Sequence, residues 1–141
     1  MIEIQELKIA SEDVLKDINP LLEELRKEST PGSIKELEDI ISDPNTTIVV
    51  ARDGDKIAGM GMLFIIQKLG RRMGFIEDVV VSQAYRGKGL GTEVMQKLVE
   101  IGRLKKLRTI DLTSHPEKGA GHFYEKSGFG KRDTSMYRMH L

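Results

Sequence analysis

The chain has 141 residues, a length that suits one domain spanning residues 1–141 and a core that needs no staple. Lys plus Arg and Asp plus Glu both number 22, so the formal net charge is zero, which argues against a nucleic-acid partner. The absence of Cys removes disulfides, thiolate chemistry and Cys-based zinc sites. No run approaches the ~20 apolar residues of a membrane helix. Met1–Glu6 lacks the basic start and apolar core of a signal peptide, so the expectation is a soluble cytoplasmic protein without a membrane partner.

Ile2 and Ile4, with Leu7 and Ile9 less regularly, predict a first strand. Ser11 can cap the helix that follows, in which Val14, Leu15, Ile18, Leu21, Leu22 and Leu25 recur at helical spacing around Pro20. Ser33-Ile34-Lys35-Glu36 is a capping box that opens a second helix, and Asp43-Pro44-Asn45 ends it. Thr46–Arg52 is β-branched, Asp53-Gly54-Asp55 turns the chain, and Lys56–Lys68 returns as a long strand. Gly70-Arg71-Arg72 turns again into a third antiparallel strand, Gly74–Ser82. From Gly89 to Lys106, Leu90, Val94, Leu98 and Ile101 form one helical stripe. Arg108–Thr113 follows that helix and can therefore pair parallel with an earlier strand. A short helix ends near Ser127 with Gly128 beyond it, and Phe129–Met139 supplies a final strand. The predicted order is β-α-α-β-β-β-α-β-α-β. This is an α/β (α+β) class with a mixed, mostly antiparallel central sheet and helices on both faces.

The densest signal is Arg86-Gly87-Lys88-Gly89-Leu90-Gly91-Thr92, between a strand and the strongest helix. Its glycines permit unusual backbone angles, and the first N–H groups of a helix lack intrahelical partners. An anion fits there, aided by the helix dipole. The spacing matches neither a P-loop nor a dinucleotide fingerprint.

These residues resemble the GNAT superfamily of N-acetyltransferases. The family's Arg/Gln-x-x-Gly-x-Gly/Ala motif is matched by Arg86, Gly89 and Gly91, and its Tyr-x-x-x-Gly-Phe ending by Tyr124 to Phe129. The resemblance implies acetyl-CoA as co-substrate. Its pyrophosphate would lie on the backbone of Arg86, Gly87, Lys88, Gly89, Leu90, Gly91 and Thr92. Its pantetheine arm would pair with the strand edge at Val79, Val80 and Val81, as an added strand does. It also implies a V-shaped splay between the fourth and fifth strands, and family members often dimerise. Glu77-Asp78-Val79-Val80-Val81 and Phe123-Tyr124-Glu125-Lys126 further resemble the glucosamine-phosphate N-acetyltransferase branch. Ala120 departs from it where many relatives carry Asn, and Ser114-His115-Pro116-Glu117 is typical of other relatives.

Acetyl transfer needs an amine without its extra proton, a polarised thioester oxygen and a proton for the departing thiolate. Tyr124 is the candidate for the last task, since a phenol keeps its proton near pH 7. Glu77 and Asp78 are the candidate bases, with Glu77 favoured. Adjacent strand residues face opposite sides unless a bulge intervenes, and an ion pair with Arg71 or Arg72 is the competing role. His115, before Pro116, suits a cap or loop, and His122 a solvent-facing position. No two His stand at metal-ligand spacing, so no metal is expected. The basic run Arg103–Arg108 complements a helix end, and Met60, Met62, Met73, Met95 and Met136 are expected to fill the core. Arg26, Lys27, Arg71 and Arg72 would suit a phosphosugar acceptor. The reading is an N-acetyltransferase acting on a small or peptide amine, with a non-catalytic CoA-binding sensor as the alternative. The long strand Lys56–Lys68 offers a pairing edge for a homodimer.

Overall fold

The computed structural model describes residues 1–26, 30–114 and 121–141. The elements are β1 (Ile2–Glu6), α1 (Glu12–Leu25), α2 (Ile34–Ser42), β2 (Thr46–Asp53), β3 (Lys56–Lys68), β4 (Arg71–Val81), α3 (Leu90–Leu104), β5 (Thr109–Asp111) and α4 (Gly121–Lys126). A single turn of tighter helix, Gln83–Tyr85, joins β4 to the glycine loop. The sheet order is β1-β2-β3-β4-β5, antiparallel except for the parallel β4–β5 pair. The mixed sheet expected from the sequence is therefore the one found.

The sheet separates two cores. On one face α1 and α2 place Val14, Leu15, Ile18, Leu21 and Leu37 against Ile48, Val50, Met60, Met62 and Val80. On the other, α3 places Leu90, Val94, Met95, Leu98 and Ile101 against Val49, Ala51, Leu63 and Ile76. Covering both faces explains why the central strands read as near-continuous apolar runs rather than alternating ones. Local signals set the helix starts. Ser11 Oγ accepts from Val14 N–H at 3.2 Å, and the Ser33–Glu36 box is reciprocal, at 3.1 and 2.9 Å.

Three expectations are corrected. Ile9 is exposed and lies outside β1, which stops at Glu6. The hairpin β3–β4 closes earlier than expected, with Lys68 opposite Arg71 and Gly70 at φ +81°, so Arg71 and Arg72 belong to the strand. The final strand over Phe129–Met139 is not formed. That segment pairs with no strand, and Met136, Tyr137 and Met139 are exposed. Its alternation is strand-like, but a strand forms only where an edge accepts its hydrogen bonds, and the neighbouring β5 is three residues long. The tail touches β5 through an ion pair instead, Arg132 to Asp111 at 3.7 Å.

Candidate active site

The glycine loop is built around two left-handed residues. Gly87 has φ +79° and Gly89 φ +82°, a region in which an L side chain is strained. Gly89 is the N-cap of α3 and offers no side-chain acceptor, so the first N–H groups of that helix carry no cap. A pocket of about 230 Å³ opens at this helix start, lined by Val81, Arg86, Gly87, Gly91, Thr92 and Phe123 among others. Tyr85 anchors the loop. Its hydroxyl donates to Asp53 Oδ2 at 2.7 Å, and Lys88 Nζ lies 5.4 Å from its ring centre. The Arg86 guanidinium donates to the Val81 carbonyl and to Glu24 of α1, both at 3.0 Å.

Beside this pocket the sheet opens. β4 and β5 pair only at Met73–Phe75 with Thr109–Asp111, so among the described residues no strand pairs with that side of β4 from Ile76 to Val81. Within that stretch the β3–β4 register breaks. Glu77 faces Met62 and Val80 faces Met60, leaving Asp78 and Val79 opposite Gly61 alone. This is a β-bulge, and Asp78 sits in it at φ +56°, a conformation that short polar side chains tolerate. Gly61 makes room for α3, since a Cβ there would meet Leu98 at 2.8 Å and Val94 at 2.9 Å.

The bulge changes where the carboxylates go. Met62 belongs to the α1/α2 core, so its register partner Glu77 lies on that face of the sheet. Asp78, shifted by the bulge, also turns to that side, where Arg26 at the end of α1 holds its Oδ2 at 3.2 Å. Burial raises the Asp78 pKa and outweighs the lowering by Arg26. Glu77 is raised first by desolvation and then by the charge of Asp78, against lowering by Arg26 and by Arg138 of the tail. Tyr124, on α4, is half-buried between Phe123 and Phe129, whose ring centres lie 5.1 and 6.4 Å away, edge to face. Its pKa is raised by burial and then by the charge of Glu77. Burial thus favours the protonated carboxyl of Glu77, and burial with the charge of Glu77 favours the protonated phenol of Tyr124.

A family model, the acetyltransferase (GNAT) family, matches residues 12–129. The chain belongs to the GNAT acetyltransferase family. It is 38% identical over 96 residues, 63% of this chain and 57% of that protein, to a probable glucosamine 6-phosphate N-acetyltransferase of Oryza sativa. It is 43% identical over 84 residues to the glucosamine 6-phosphate N-acetyltransferase of Trypanosoma brucei, 57% of this chain and 56% of that protein. The chain thus spans little more than half the length of these relatives. The crystal structure of the Arabidopsis thaliana glucosamine-6-phosphate N-acetyltransferase superposes with a TM-score of 0.84 at 29% identity, over 99% of this chain and 98% of that one.

In this GNAT domain most residues singled out from the sequence fall on the glycine loop, on β4 and on α4. Arg86, Gly87 and the stretch from Gly89 to Thr92 line the helix-start pocket, Val79–Val81 end β4, Glu77 and Asp78 lie toward the α1 face, and Tyr124 packs with the α3-side core, where the charge of Glu77 still reaches it. The competing ion pair is not made. Arg71 donates to Thr109 Oγ1 at 2.8 Å and Arg72 to the Lys105 carbonyl at 2.9 Å, both at the far end of β4. That placement also separates them from Arg26, so the expected basic cluster does not assemble, and Lys27 lies outside the described residues. His115, with Pro116, Glu117 and Ala120, lies outside them too; His122 is exposed. Sequence reasoning missed Glu24 and Gly61, and took Arg26 only as part of that cluster. Gly61 is legible as a lone glycine inside an apolar strand run, the usual sign of a bulge or close approach. Glu24 and Arg26 look like ordinary helix-surface charges, and only tertiary packing brings them to the site.

Proposed function

We propose that the protein is an acetyl-CoA-dependent N-acetyltransferase that passes the acetyl group directly to a primary amine in a ternary complex. The observation that supports this reading is the uncapped helix-start pocket on the glycine loop, next to a stretch of β4 with no strand partner on its β5 side among the described residues and a bulge that carries Glu77 and Asp78. The glycine loop suits a pyrophosphate, because its N–H groups and the positive end of α3 face an anion without a competing cap. The open edge of β4 suits the amides of the pantetheine arm.

Glu77 takes the proton of the amine, directly or through a water; its raised pKa brings it closer to the proton it must accept. The amine nitrogen then bonds the thioester carbonyl carbon as the carbon–sulfur bond breaks, and the nitrogen's remaining extra proton passes to solvent as the amide forms. Tyr124 gives its proton to the leaving thiolate, and its raised pKa keeps that proton available. Asp78 acts beside Glu77, where its charge helps raise the Glu77 pKa.

An amino-sugar phosphate is the acceptor class we favour, on the names of the relatives above, with the cytoplasm as the setting. A homodimer is part of the same proposal, on a changed basis. Both edges of β3 are occupied over Gly59–Phe64, by β2 and β4, so that strand offers no pairing edge there. Exposed Met136, Tyr137, Met139 and Leu141 on the unpaired tail supply an apolar surface instead. Light scattering that gives a monomer at working concentration removes this part.

The deciding assay is thiol release from acetyl-CoA across a panel of glucosamine 6-phosphate, glucosamine, amino acids and peptide amines. Release fastest with glucosamine 6-phosphate supports the full reading. Release with another amine keeps the transferase and replaces the acceptor. Tight CoA binding without release from any amine marks a CoA-binding sensor.

A further inference from the structure

The last turn of α1 reaches both halves of the site. Glu24 pairs with Arg86 of the glycine loop at 3.0 Å, and Arg26, two residues on, pairs with Asp78 of the bulge at 3.2 Å. Residues two apart on a helix point in different directions. Both reach the site because Arg26 is the C-cap, with extended angles of φ −131° and ψ 96°, and so turns off the helix. This turn also follows Pro20, which lies inside α1 and cannot donate to the carbonyl of residue 16.

The Glu24 contact matters because of what it occupies. Arg86 lines the pocket at the start of α3, the place best suited to a pyrophosphate. Its Nε is engaged by the Val81 carbonyl, and one terminal nitrogen of its guanidinium by the Glu24 carboxylate. In the free protein the guanidinium therefore already holds an anion that belongs to the chain. Both side chains are half exposed, Arg86 at 52% and Glu24 at 42%, so the pair is weak enough to exchange.

We infer that Glu24 is an internal competitor for Arg86: acetyl-CoA binding exchanges the Glu24 carboxylate for a phosphate oxygen and releases the last turn of α1. Glu24 thereby sets cofactor affinity without touching the reacting atoms. The released turn is the one that carries Arg26, so the exchange reaches the tether on Asp78. The inference rests on the cofactor reading of the glycine loop, and its test separates the two.

Calorimetric titration with CoA of the wild type, Glu24→Gln, Glu23→Gln, Arg86→Ala and the double variant Glu24→Gln/Arg86→Ala decides it. Glu24→Gln keeps the size of the side chain and removes its charge. The dissociation constant is expected to fall about two- to fivefold, the value of an exposed ion pair. Glu23→Gln removes the same charge from the neighbouring exposed position and should shift affinity less. In the Arg86→Ala background, Glu24→Gln should have no further effect, because the contested guanidinium is gone. An unchanged or weaker affinity for Glu24→Gln overturns the inference. So does an equal gain from Glu23→Gln, or a gain that persists without Arg86, since either makes the effect general electrostatics. Failure of the wild type to bind CoA at all overturns the cofactor reading itself.

Discussion

The glycine loop and the β4 bulge lie side by side, yet they are made in different ways. The loop works through its backbone. Gly87 and Gly89 take left-handed angles, α3 starts uncapped, and the result is a set of N–H groups whose position depends on about seven consecutive residues. The bulge works through side chains. Glu77, Asp78 and Tyr124 come from two elements, and their protonation is set by burial, by each other and by Arg26 from a third. A backbone site tolerates changes of side chain and fails when its angles are denied. A side-chain site fails when one functional group is removed, even with the backbone intact.

The largest effect should come from the side-chain half. Glu77→Gln is expected to lower kcat by about 10²–10⁴-fold, the usual contribution of a general base, with CoA affinity nearly unchanged. The raised Glu77 pKa places the acid limb of kcat/KM above the ordinary Glu value near 4.3. The rate should rise with pH through that limb as Glu77 loses its proton, and the limb should vanish in the variant. Steady-state rates between pH 4 and 9 measure both. A retained limb would assign it to Asp78.

Tyr124→Phe comes next, with a fall in single-turnover rate of about 10²-fold or less, because CoA thiolate is already a tolerable leaving group. CoA affinity should stay, and any high-pH limb should move or disappear. A change in KM alone would mean that Tyr124 binds substrate and does not act in the transition state.

Gly89→Val tests the backbone half. A Cβ at Gly89 meets nothing within 4 Å, so the cost arises from the backbone: φ +82° is denied to a β-branched residue. Such strain costs about 1–3 kcal/mol, and we expect CoA affinity to drop about tenfold or more in a protein that still folds, with a melting temperature lowered by several degrees. Arg86→Ala should weaken binding less, since the N–H groups remain.

The smallest effect sharpens the contrast through stability. Asp78 has a folded pKa above its unfolded value, so the native state binds more protons than the unfolded one in the window between them. Stability therefore falls as pH rises through that window, and the ionised carboxylate remains a cost at neutral pH. Asn carries no charge to desolvate and accepts a positive φ equally well. Asp78→Asn should raise the melting temperature at pH 7 by on the order of 2–4 °C, and the gain should vanish below the ordinary Asp value near 3.9. Activity should fall in the same variant. A lowered melting temperature at pH 7 would mean that the Arg26 ion pair outweighs the burial cost.

The loop and the strong helices were legible because their determinants are contiguous. Ser11 and Ser33 cap within their own first turn, the stripe Leu90–Ile101 repeats along one helix, and Arg86–Thr92 carries its glycines in one heptapeptide. Tyr124 and Glu77 were legible as residue types, but not the reach of the Glu77 charge to the phenol. The final strand failed for a related reason. Alternation at Tyr137, Met139 and Leu141 describes a chain able to join a sheet, whereas joining requires an edge, which local pattern does not encode. Sequence alone therefore determined the fold class, the helix starts and the glycine loop, all governed by interactions a few residues apart. Tertiary structure decided that Gly61 leaves room for a bulge, that the bulge turns Asp78 toward the α1 face with Glu77, and that α1 brings Glu24 and Arg26 to the site. Those outcomes depend on contacts between residues distant in sequence, up to the 62 that separate Glu24 from Arg86, where only the packed sheet and helices fix which charges meet.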